Sequence, residues 1–333
     1  MAVLLYTDPR YQQHDTSPGH PERPERLAAV DQGVTESGAA DDLLHVEPRV
    51  ATTDELQRVH DADFLGALER FCANGGGHLD PDTVAGQQSW DIALLAAGAG
   101  LDAAERLTAG EADTAFLAVR PPGHHATPSR AMGFCLLNNV AVTAAALAER
   151  GERVLIVDID AHHGNGTQDA FWNEPLVTYV SLHQYPMYPG TGPASETGGP
   201  EAPGGTVNIP VPAGTEGDTY RRAVDDIIVP LAERVRPTWL LISTGFDAHR
   251  ADPLAGLGLS SGDYHDLTAR LLSLVPASRT LVFLEGGYDL GAVADSTAAT
   301  LGALSGVVTR PEPATNGQIV PVLDQVRLLH HLS

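Results

Sequence analysis

The sequence contains no lysine, because all 20 of its basic residues are arginine. A lysine Schiff base, a pyridoxal phosphate linkage and the lysine of a phosphate-binding loop are therefore excluded from its chemistry. Two cysteines, Cys72 and Cys135, are too few for a disulfide framework, so we expect a cytoplasmic protein. No apolar run approaches the roughly 20 residues of a membrane span. Residues 1–9 look like a first strand and not like a signal peptide.

Positive charge is also scarce. The 333 residues carry 43 acidic side chains against 20 basic ones, a net charge of -23. Nucleic-acid binding is disfavoured, since it needs cationic groups that neutralise phosphates. Cationic ligands are favoured, although the same charge is also typical of a surface that only maintains solubility. No linker or internal repeat divides the chain, which predicts one domain over 1–333; nothing in the sequence indicates an oligomeric state.

Apolar, β-rich runs alternate with alanine-rich helical stretches, which predicts an α/β fold with a mainly parallel sheet covered by helices. The predicted strands lie near 2–6, 114–119, 153–158, 176–181, 238–243 and 280–284. The predicted helices lie near 23–37, 53–73, 88–108, 138–149, 218–235, 262–274 and 290–305. The stretch 185–217 is rich in glycine and proline, apart from a short apolar run at 207–211. We expect a long loop there that borders the active site, a surface excursion without chemical role being the alternative.

Reactive residues follow four of these strands, and the carboxyl ends of parallel strands meet at one edge of a sheet. Side chains alternate along a strand, so Asp158, Asp160 and His162 share a face. Asp247 follows the strand at 238–243. Two carboxylates and an imidazole with an open position suit a catalytic zinc ion, so Asp160, His162 and Asp247 are the predicted ligands. Fe(II) or Co(II) also fits this donor set, and a lone Asp-x-His is more often a hydrogen-bonded core pair.

His124 and His125 follow the strand at 114–119 in a rigid Pro-Pro-Gly turn, so both rings are predicted to face one cavity. Histidine commonly supplies the base that activates a water and the acid that protonates a leaving amine. We expect Asp158 to orient one imidazole and Asn165 the other, giving the two rings different proton affinities. As an isolated pair, these histidines would as often be structural or metal-binding.

Tyr288 follows two glycines after the strand at 280–284. Its backbone can approach a ligand closely, and its phenol can donate a hydrogen bond to a developing oxyanion. Elsewhere a Gly-Gly-Tyr sequence is usually a simple turn. His163, His183 and His249 are interpreted as structural, because the metal site is complete without them.

These residues lie in blocks whose order resembles the zinc-dependent histone deacetylase superfamily, which includes acetylpolyamine amidohydrolases and acetoin-utilisation proteins. The matching blocks are 20–26, 120–125, 133–139, 158–166, 181–183, 189–192, 245–249 and 285–288. The resemblance covers nearly the whole chain and implies an arginase-like fold. It also implies zinc on Asp160, His162 and Asp247, with the tandem histidines as general base and acid. Tyr288 would polarise the acetyl carbonyl.

The resemblance further implies a narrow tunnel for an acyl-lysine chain, with Phe134 and Tyr188 as walls and the Gly133 carbonyl near the amide. An acidic residue that anchors the substrate backbone corresponds to Asp80, with Asp82 as the alternative. Leu254 stands where polyamine-selective eukaryotic relatives carry a glutamate. A structural K⁺ or Na⁺ is also implied; its expected ligands are Asp158, Asp160, His162, Ser181 and Leu182, with a second cation near Phe171 and Val177.

The sequence therefore predicts a zinc amidohydrolase that removes acetyl groups from a cationic amine. Acetyl-lysine in proteins or peptides is the leading substrate, and an acetylpolyamine or small metabolite is the alternative. Asn165 stands where one subgroup of the family has an aspartate, and the blocks 245–249 and 285–288 look like the class II type. A tyrosine at 288 implies competent chemistry. A binuclear manganese ureohydrolase is disfavoured, because His249 stands where a second bridging carboxylate is needed. A non-catalytic acyl-ligand sensor is disfavoured by the full set of catalytic residues.

Overall fold

The computed structural model describes residues 1–332, in which ten strands and eleven α-helices follow one another along the chain. The strands are β1 (Val3–Tyr6), β2 (Leu43–Val46), β3 (Gly77–His78), β4 (Val84–Ala85), β5 (Thr114–Leu117), β6 (Val154–Asp158), β7 (Val177–Gln184), β8 (Thr206–Val211), β9 (Trp239–Thr244) and β10 (Thr280–Leu284). The helices are α1 (Glu25–Glu36), α2 (Thr53–Leu56), α3 (Ala62–Ala73), α4 (Ser89–Thr108), α5 (Asn139–Glu149), α6 (Asn165–Phe171), α7 (Gly217–Ala223), α8 (Val229–Val235), α9 (Ser261–Leu271), α10 (Leu290–Ser305) and α11 (Val322–Leu329). A π-helical turn, Val224–Ile228, joins α7 to α8.

Eight strands form one parallel sheet in the order β2-β1-β5-β10-β9-β6-β7-β8. The predicted parallel α/β fold is thus confirmed, and all six predicted strands are present. Strands β5, β10, β9 and β6 are consecutive neighbours at its centre and are buried along their whole length. Because all of them run the same way, the blocks that follow them lie at one edge of the sheet.

Helices cover the sheet in two packed groups. Helices α4 and α5 contact each other, and α10 contacts both α1 and α9. Local capping fixes where two of these helices begin: the Asn138 side chain accepts a hydrogen bond from the amide of Ala141, and Asp289 accepts one from Ala292. Asn138 lies within the block 133–139, and Asp289 directly follows the block 285–288. Within the described residues, no helix combines the length and apolarity needed to cross a membrane.

Three predictions about elements need correction. The helix predicted at 53–73 is two helices, because Thr52 and Glu55 form a capping box that starts α2 and the chain turns at 57–61 before α3. The apolar run inside the predicted 185–217 loop is strand β8, which pairs with β7. Strand β2 and helices α6 and α11 were not predicted, since each is short and is stabilised by its packing on larger elements.

Candidate active site

Three side chains converge at the carboxyl edge of the sheet. Asp160 and His162 follow β6, and Asp247 lies in a 3₁₀ turn after the neighbouring strand β9. The potential ligand atoms of the three residues all lie within 4.8 Å of one another. His162 Nδ1 is 3.1 Å from Asp160 Oδ1 and 2.9 Å from Asp247 Oδ2. The structure therefore brings the three predicted metal ligands together.

The charges at this cluster fit a divalent cation. Burial and the charge of Asp160 raise the pKa of Asp247 to about 7. Burial opposes protonation of His162, yet its contacts with both carboxylates raise its pKa to about 10. A β-carbon at Gly286 would lie 2.3 Å from Asp247 Oδ2, so only glycine lets the carboxylate sit there. Two buried carboxylates and one imidazole are a donor set that can hold a divalent cation.

The tandem histidines sit beside this cluster with different partners. Their ring centroids are 4.1 Å apart. His124 Nδ1 lies 3.0 Å from Asp158 Oδ2, and His125 Nδ1 lies 2.8 Å from Asn165 Oδ1. In each ring the Nδ1–H donates to an oxygen, which leaves Nε2 for the pocket side. The structure therefore contains the expected contacts of one imidazole with a carboxylate and of the other with an amide.

These partners separate the proton affinities of the two rings. Burial disfavours a charged His124, but the carboxylates of Asp160 and Asp158 outweigh it and raise the pKa of His124 well above the usual value. Burial together with the positive charges of His124 and His162 holds the pKa of His125 well below the usual value. His124 therefore holds a proton more tightly than His125 does.

Two buried residues to which the sequence assigned no role support the loop that carries the tandem histidines and the loop that carries Tyr288. Glu285 accepts hydrogen bonds from the amides of Gly123 (2.7 Å) and His124 (3.1 Å), directly before the tandem rings. Arg26 donates to the carbonyl oxygens of Glu285 (2.5 Å) and Gly287 (2.6 Å). Both residues lie in blocks 20–26 and 285–288, so the blocks were visible in the sequence but these contacts were not.

Tyr288 closes the site on the side opposite the histidines. Its ring meets the Phe134 ring edge-on at 5.7 Å between centroids, and the Arg26 guanidinium lies 5.2 Å from its centroid. Burial raises the pKa of Tyr288 well above the usual value, although the charge of Arg26 opposes this shift. The phenol therefore remains protonated near neutral pH and is available as a hydrogen-bond donor.

A cavity of about 240 Å³ leads from the surface to this group. Its lining residues are Asp82, His125, Gly133, Phe134, His162, Met187, Tyr188, Leu254 and Tyr288. The walls are apolar and the polar groups lie at the inner end, as in most small-molecule sites. Gly133 has a φ of +56° and its missing β-carbon would lie 2.4 Å from His125 Cδ2, so the wall depends on glycine.

The two candidate anchoring acids have different surroundings. Asp80 Oδ1 accepts hydrogen bonds from the amides of Asp82 (3.1 Å) and Thr83 (2.6 Å) and stabilises the turn before β4. Asp82, which is half-buried, lines the cavity, and its carbonyl lies 2.9 Å from His20 Nε2. The expectation for Asp80 therefore differs from the structure, in which Asp82 is the acid that faces the cavity.

The segment between β7 and β8 forms one wall, as expected for a loop that borders the site. Tyr188 and Met187 come from it, and the sequence reading missed Met187. His163 and His183 hold this segment: His163 Nδ1 is 2.8 Å from Thr191 Oγ1, and His183 Nε2 donates to the carbonyl oxygen of Gly192 at 3.0 Å. His249 Nε2 contacts Glu312 at 2.7 Å, away from the three ligands.

The residues expected around a monovalent cation lie on adjacent strands. Asp158 on β6 is the register partner of Ser181 on β7, and Leu182 follows, with its carbonyl 3.4 Å from the Tyr220 hydroxyl. Ser181 Oγ lies 2.9 Å from His183 Nδ1. The second expected position, near Phe171 and Val177, is the connection between α6 and β7.

A parallel α/β sheet that carries an Asp-His-Asp cluster and tandem histidines at its carboxyl edge defines an arginase/deacetylase-type fold. Residues 20–304 match the family model described as the histone deacetylase domain, and the chain belongs to this family.

Solved and curated relatives agree with that assignment. The crystal structure of the HDA15 HD domain superimposes with a TM-score of 0.92 and 35% identity, covering 99% of this chain and 96% of that one. A probable deacetylase from Archaeoglobus fulgidus is 39% identical over 303 residues, 89% of this chain and 84% of its own length. A histone deacetylase-like amidohydrolase from Pseudomonas aeruginosa is 37% identical over 301 residues, 89% of this chain and 79% of its own. Deacetylase or amidohydrolase chemistry is the function that these relatives support.

Proposed function

We propose that the protein is a zinc-dependent amidohydrolase that removes acetyl groups from acetyl-lysine side chains of proteins or peptides. The observation that carries the proposal is the convergence of the Asp160, His162 and Asp247 cluster with His125 and Tyr288 at the inner end of one apolar cavity. The two buried and unpaired cysteines are consistent with a protein that acts in the cytoplasm.

The chemistry divides between the cation and the histidines. When bound at Asp160, His162 and Asp247, zinc would acidify a water molecule and polarise the acetyl carbonyl. His125, held at Nδ1 by Asn165, takes the proton of the attacking water at Nε2 and delivers it to the departing amine nitrogen. A base and acid at this position contributes roughly 10² to 10⁴ in rate.

Two further groups stabilise the negative charge that develops on the carbonyl oxygen. The Tyr288 hydroxyl donates a hydrogen bond to that oxygen, a contact typically worth about 10² to 10³ in rate. His124 keeps its proton on the side of Asp158 and contributes positive charge. Because His124 remains cationic throughout, His125 carries the proton that moves.

The cavity fits a long aliphatic stem that ends in an amide. Phe134 and Tyr188, which line the cavity, would supply apolar contact for the methylenes, and the carbonyl of Gly133 would accept from the substrate amide N–H. Asp82 at the cavity lining would anchor the peptide backbone beside the stem. Leu254 offers no charge to a second ammonium group, which favours acetyl-lysine over an acetylpolyamine.

Beyond the catalytic ion, we propose a structural K⁺ or Na⁺ at the end of β6 and β7. Asp158, Asp160 and Ser181 would provide oxygen ligands, together with the carbonyls of His162 and Leu182. Carbonyl and carboxylate oxygens are the ligands that hard cations prefer. The proposal predicts that exchange of K⁺ for a large organic cation lowers activity without removing zinc.

The direct test measures metal and turnover together. Wild type is expected to hold one zinc per chain and to hydrolyse a fluorogenic acetyl-lysine peptide faster than acetylputrescine or acetylspermidine. Asp160→Ala and His162→Ala are expected to lose both zinc and activity, whereas Asp324→Ala, at a side chain that is 84% exposed, retains both. Full zinc and activity in the first two variants would refute the proposal, and two manganese ions per chain would favour a ureohydrolase.

A further inference from the structure

A single buried carboxylate outside the predicted site connects two parts of the cavity. Asp252 lies in the loop after β9 and is only 6% exposed. Its Oδ2 accepts hydrogen bonds from the backbone amides of Tyr288 at 2.7 Å and Asp289 at 3.4 Å. Its Oδ1 accepts one from the amide of Leu254 at 2.9 Å. One side chain therefore joins the loop that carries Leu254 to the loop that carries Tyr288.

The Tyr288 loop needs such an anchor because its own sequence is permissive. Gly286 and Gly287 precede the tyrosine, and Gly287 has a φ of +111°. Glycine gains conformational freedom in the absence of a β-carbon, so the two residues do not themselves fix where the phenol points. The position of Tyr288 therefore depends on contacts from outside the loop.

Hydrogen bonds from four outside residues hold residues 286–289 at successive positions, and one of these is the amide of Phe246, which donates to the carbonyl of Gly286 at 3.1 Å. The amide of Gly286 donates to Asp160 Oδ2 at 2.9 Å, and Arg26 donates to the carbonyl of Gly287 at 2.6 Å. Asp252 binds the amides of Tyr288 and the following residue. Of these contacts, only the one from Asp252 is made to the tyrosine itself, at its backbone.

The same carboxylate also fixes both boundaries of the cavity. Leu254 is 38% exposed and lines the cavity near its opening, while Tyr288 lines the inner end. The side chain of Asp289 caps α10, a 16-residue helix, by accepting from the amide of Ala292. Because the amide of Asp289 also donates to Asp252, the same carboxylate contacts both Tyr288 and the start of this helix. A shift of one boundary is thereby transmitted to the other through Asp252.

We propose that Asp252 is a positioning residue that fixes the Tyr288 hydroxyl for the developing oxyanion and couples it to Leu254 at the cavity opening. This inference rests on the proposed function for its effect on turnover. It does not require Asp252 to touch the substrate.

Asp252→Asn is the informative substitution, because the volume is kept while one acceptor oxygen becomes an NH₂ donor. The amide oxygen can then accept a hydrogen bond from either Leu254 or the Tyr288 loop. The NH₂ group lies against the remaining backbone N–H, with which it cannot form a hydrogen bond. We expect kcat for an acetyl-lysine peptide to fall by about 10- to 100-fold, since small misplacement of a catalytic group has effects of that size. KM should change much less, because the apolar walls that bind the stem remain.

If Tyr288 is displaced, the loss of activity should depend on the reactivity of the substrate carbonyl. A trifluoroacetyl amide is more electrophilic and needs less stabilisation of its oxyanion, so Asp252→Asn should slow its hydrolysis far less than that of the acetyl amide. Tyr288→Phe should show the same selectivity. In the double variant, Asp252→Asn should add no further loss of kcat, since the group it positions is already absent. Equal losses on both substrates, or additive losses in the double variant, would overturn the proposal.

The matched control is Asp113→Asn. Asp113 also accepts a backbone amide, that of Ala2 at 2.9 Å, but it lies before β5 at the opposite edge of the sheet. It should leave the ratio of the two substrates unchanged, which separates a loss of general stability from a displaced tyrosine.

Hydrogen exchange separates failure of this inference from failure of the proposed function. The amides of residues 288 and 289 should exchange faster in Asp252→Asn than in wild type, whereas those of α9 should not change. Unchanged exchange at 288–289 refutes the positioning role even in an active enzyme. If the wild type hydrolyses neither amide, faster exchange in Asp252→Asn still supports the positioning role, and only the proposed deacetylase activity is refuted.

Discussion

At the scale of single residues, the site distinguishes two chemically identical side chains by their partners. His124 and His125 are adjacent in sequence, and each donates Nδ1–H to an oxygen. The oxygen belongs to a carboxylate, Asp158, in one case and to a neutral amide, Asn165, in the other. Against the effect of burial, the charges of Asp160 and Asp158 raise the pKa of His124, whereas burial and the charges of His124 and His162 lower the pKa of His125.

Exchanging that amide for an acid should therefore move the pH profile. In Asn165→Asp a carboxylate would lie about where the amide now contacts His125 at 2.8 Å, and an opposite charge at this distance raises a histidine pKa. Since the base must be neutral, the acidic limb of kcat/KM should move to higher pH, by about one unit. Activity that the variant loses on the acidic side should recover at higher pH.

The matched variant is Asn165→Ala, which removes the acceptor without adding charge. It should lower kcat by about 10- to 100-fold, because the imidazole loses the contact that fixes its tautomer. Zinc content, measured by elemental analysis, should remain one per chain in both variants. Loss of zinc would show that Asn165 supports the metal and not the base, and an unshifted acidic limb in Asn165→Asp would contradict the assignment of His125.

At the scale of elements, continuous apolar runs and alanine-rich stretches were predictable, whereas elements that depend on their packing were not. The central strands β5, β6, β9 and β10 are apolar along their length, so the sequence was enough to locate them and the reactive blocks that follow. Strand β8 was obscured by the glycines and prolines around it, and only its pairing with β7 identifies it. The break between α2 and α3 depends on tertiary contacts of the connecting residues.

The sequence likewise indicated some residues of the candidate site and not others. Ligands and bases follow strand ends, where chain position alone brings them together, and the sequence therefore indicated Asp160, His162 and Asp247. Asp252 was not recognised, because its role consists of hydrogen bonds to the amide of Tyr288, 36 residues away. Backbone partners of this kind leave no residue pattern. The choice between Asp80 and Asp82 likewise depends on which carboxylate the turn amides occupy.

The connection between α2 and α3 should make stability depend on pH through His60. Its Nδ1 lies 3.0 Å from the carbonyl of Thr127 and its Nε2 accepts from the amide of Asn138 at 2.9 Å, so it joins this connection to α5. Burial lowers the pKa of His60 to about 4. The unfolded chain, with a pKa near 6.5, binds a proton that the folded protein does not, so stability is lost as pH falls below about 6.5.

His60→Gln should remove this dependence. Between pH 6.5 and 5.5 the wild type should lose about 1 kcal/mol that the variant does not lose, equivalent to a difference of about 2 °C in the change of Tm. The variant should be less stable than the wild type at pH 7.5, where the histidine contacts are intact. Thermal unfolding at the three pH values measures both effects. His78→Gln, at an exposed side chain, is the control, and parallel curves for wild type and His60→Gln would contradict the argument.

At the scale of the whole molecule, the net negative charge favours cationic partners, and the absence of lysine means that the protein carries no acetyl-lysine of its own. The chain has an excess of 23 acidic groups, and the cavity has Asp82 in its lining. Such a field attracts basic peptides and repels nucleic acid, and the attraction should weaken as salt increases. The chain itself offers no lysine side chain to acetylate, so its own residues cannot compete with peptide substrates.

The absence of lysine leads to a prediction about chemical acetylation. In residues 1–333 the one primary amine is that of Met1, which pairs with Asp42 at 3.1 Å and lies beside the end of α10, at the edge of the sheet opposite the cavity. An amine-directed acetylating reagent, followed by hydroxylamine to remove tyrosine esters, should add one acetyl group per chain and leave kcat/KM unchanged. Intact mass and turnover of an acetyl-lysine peptide measure the two results on one sample. Inactivation at one acetyl group per chain would mean that the N-terminal edge is coupled to the site, which the separation of the two edges argues against.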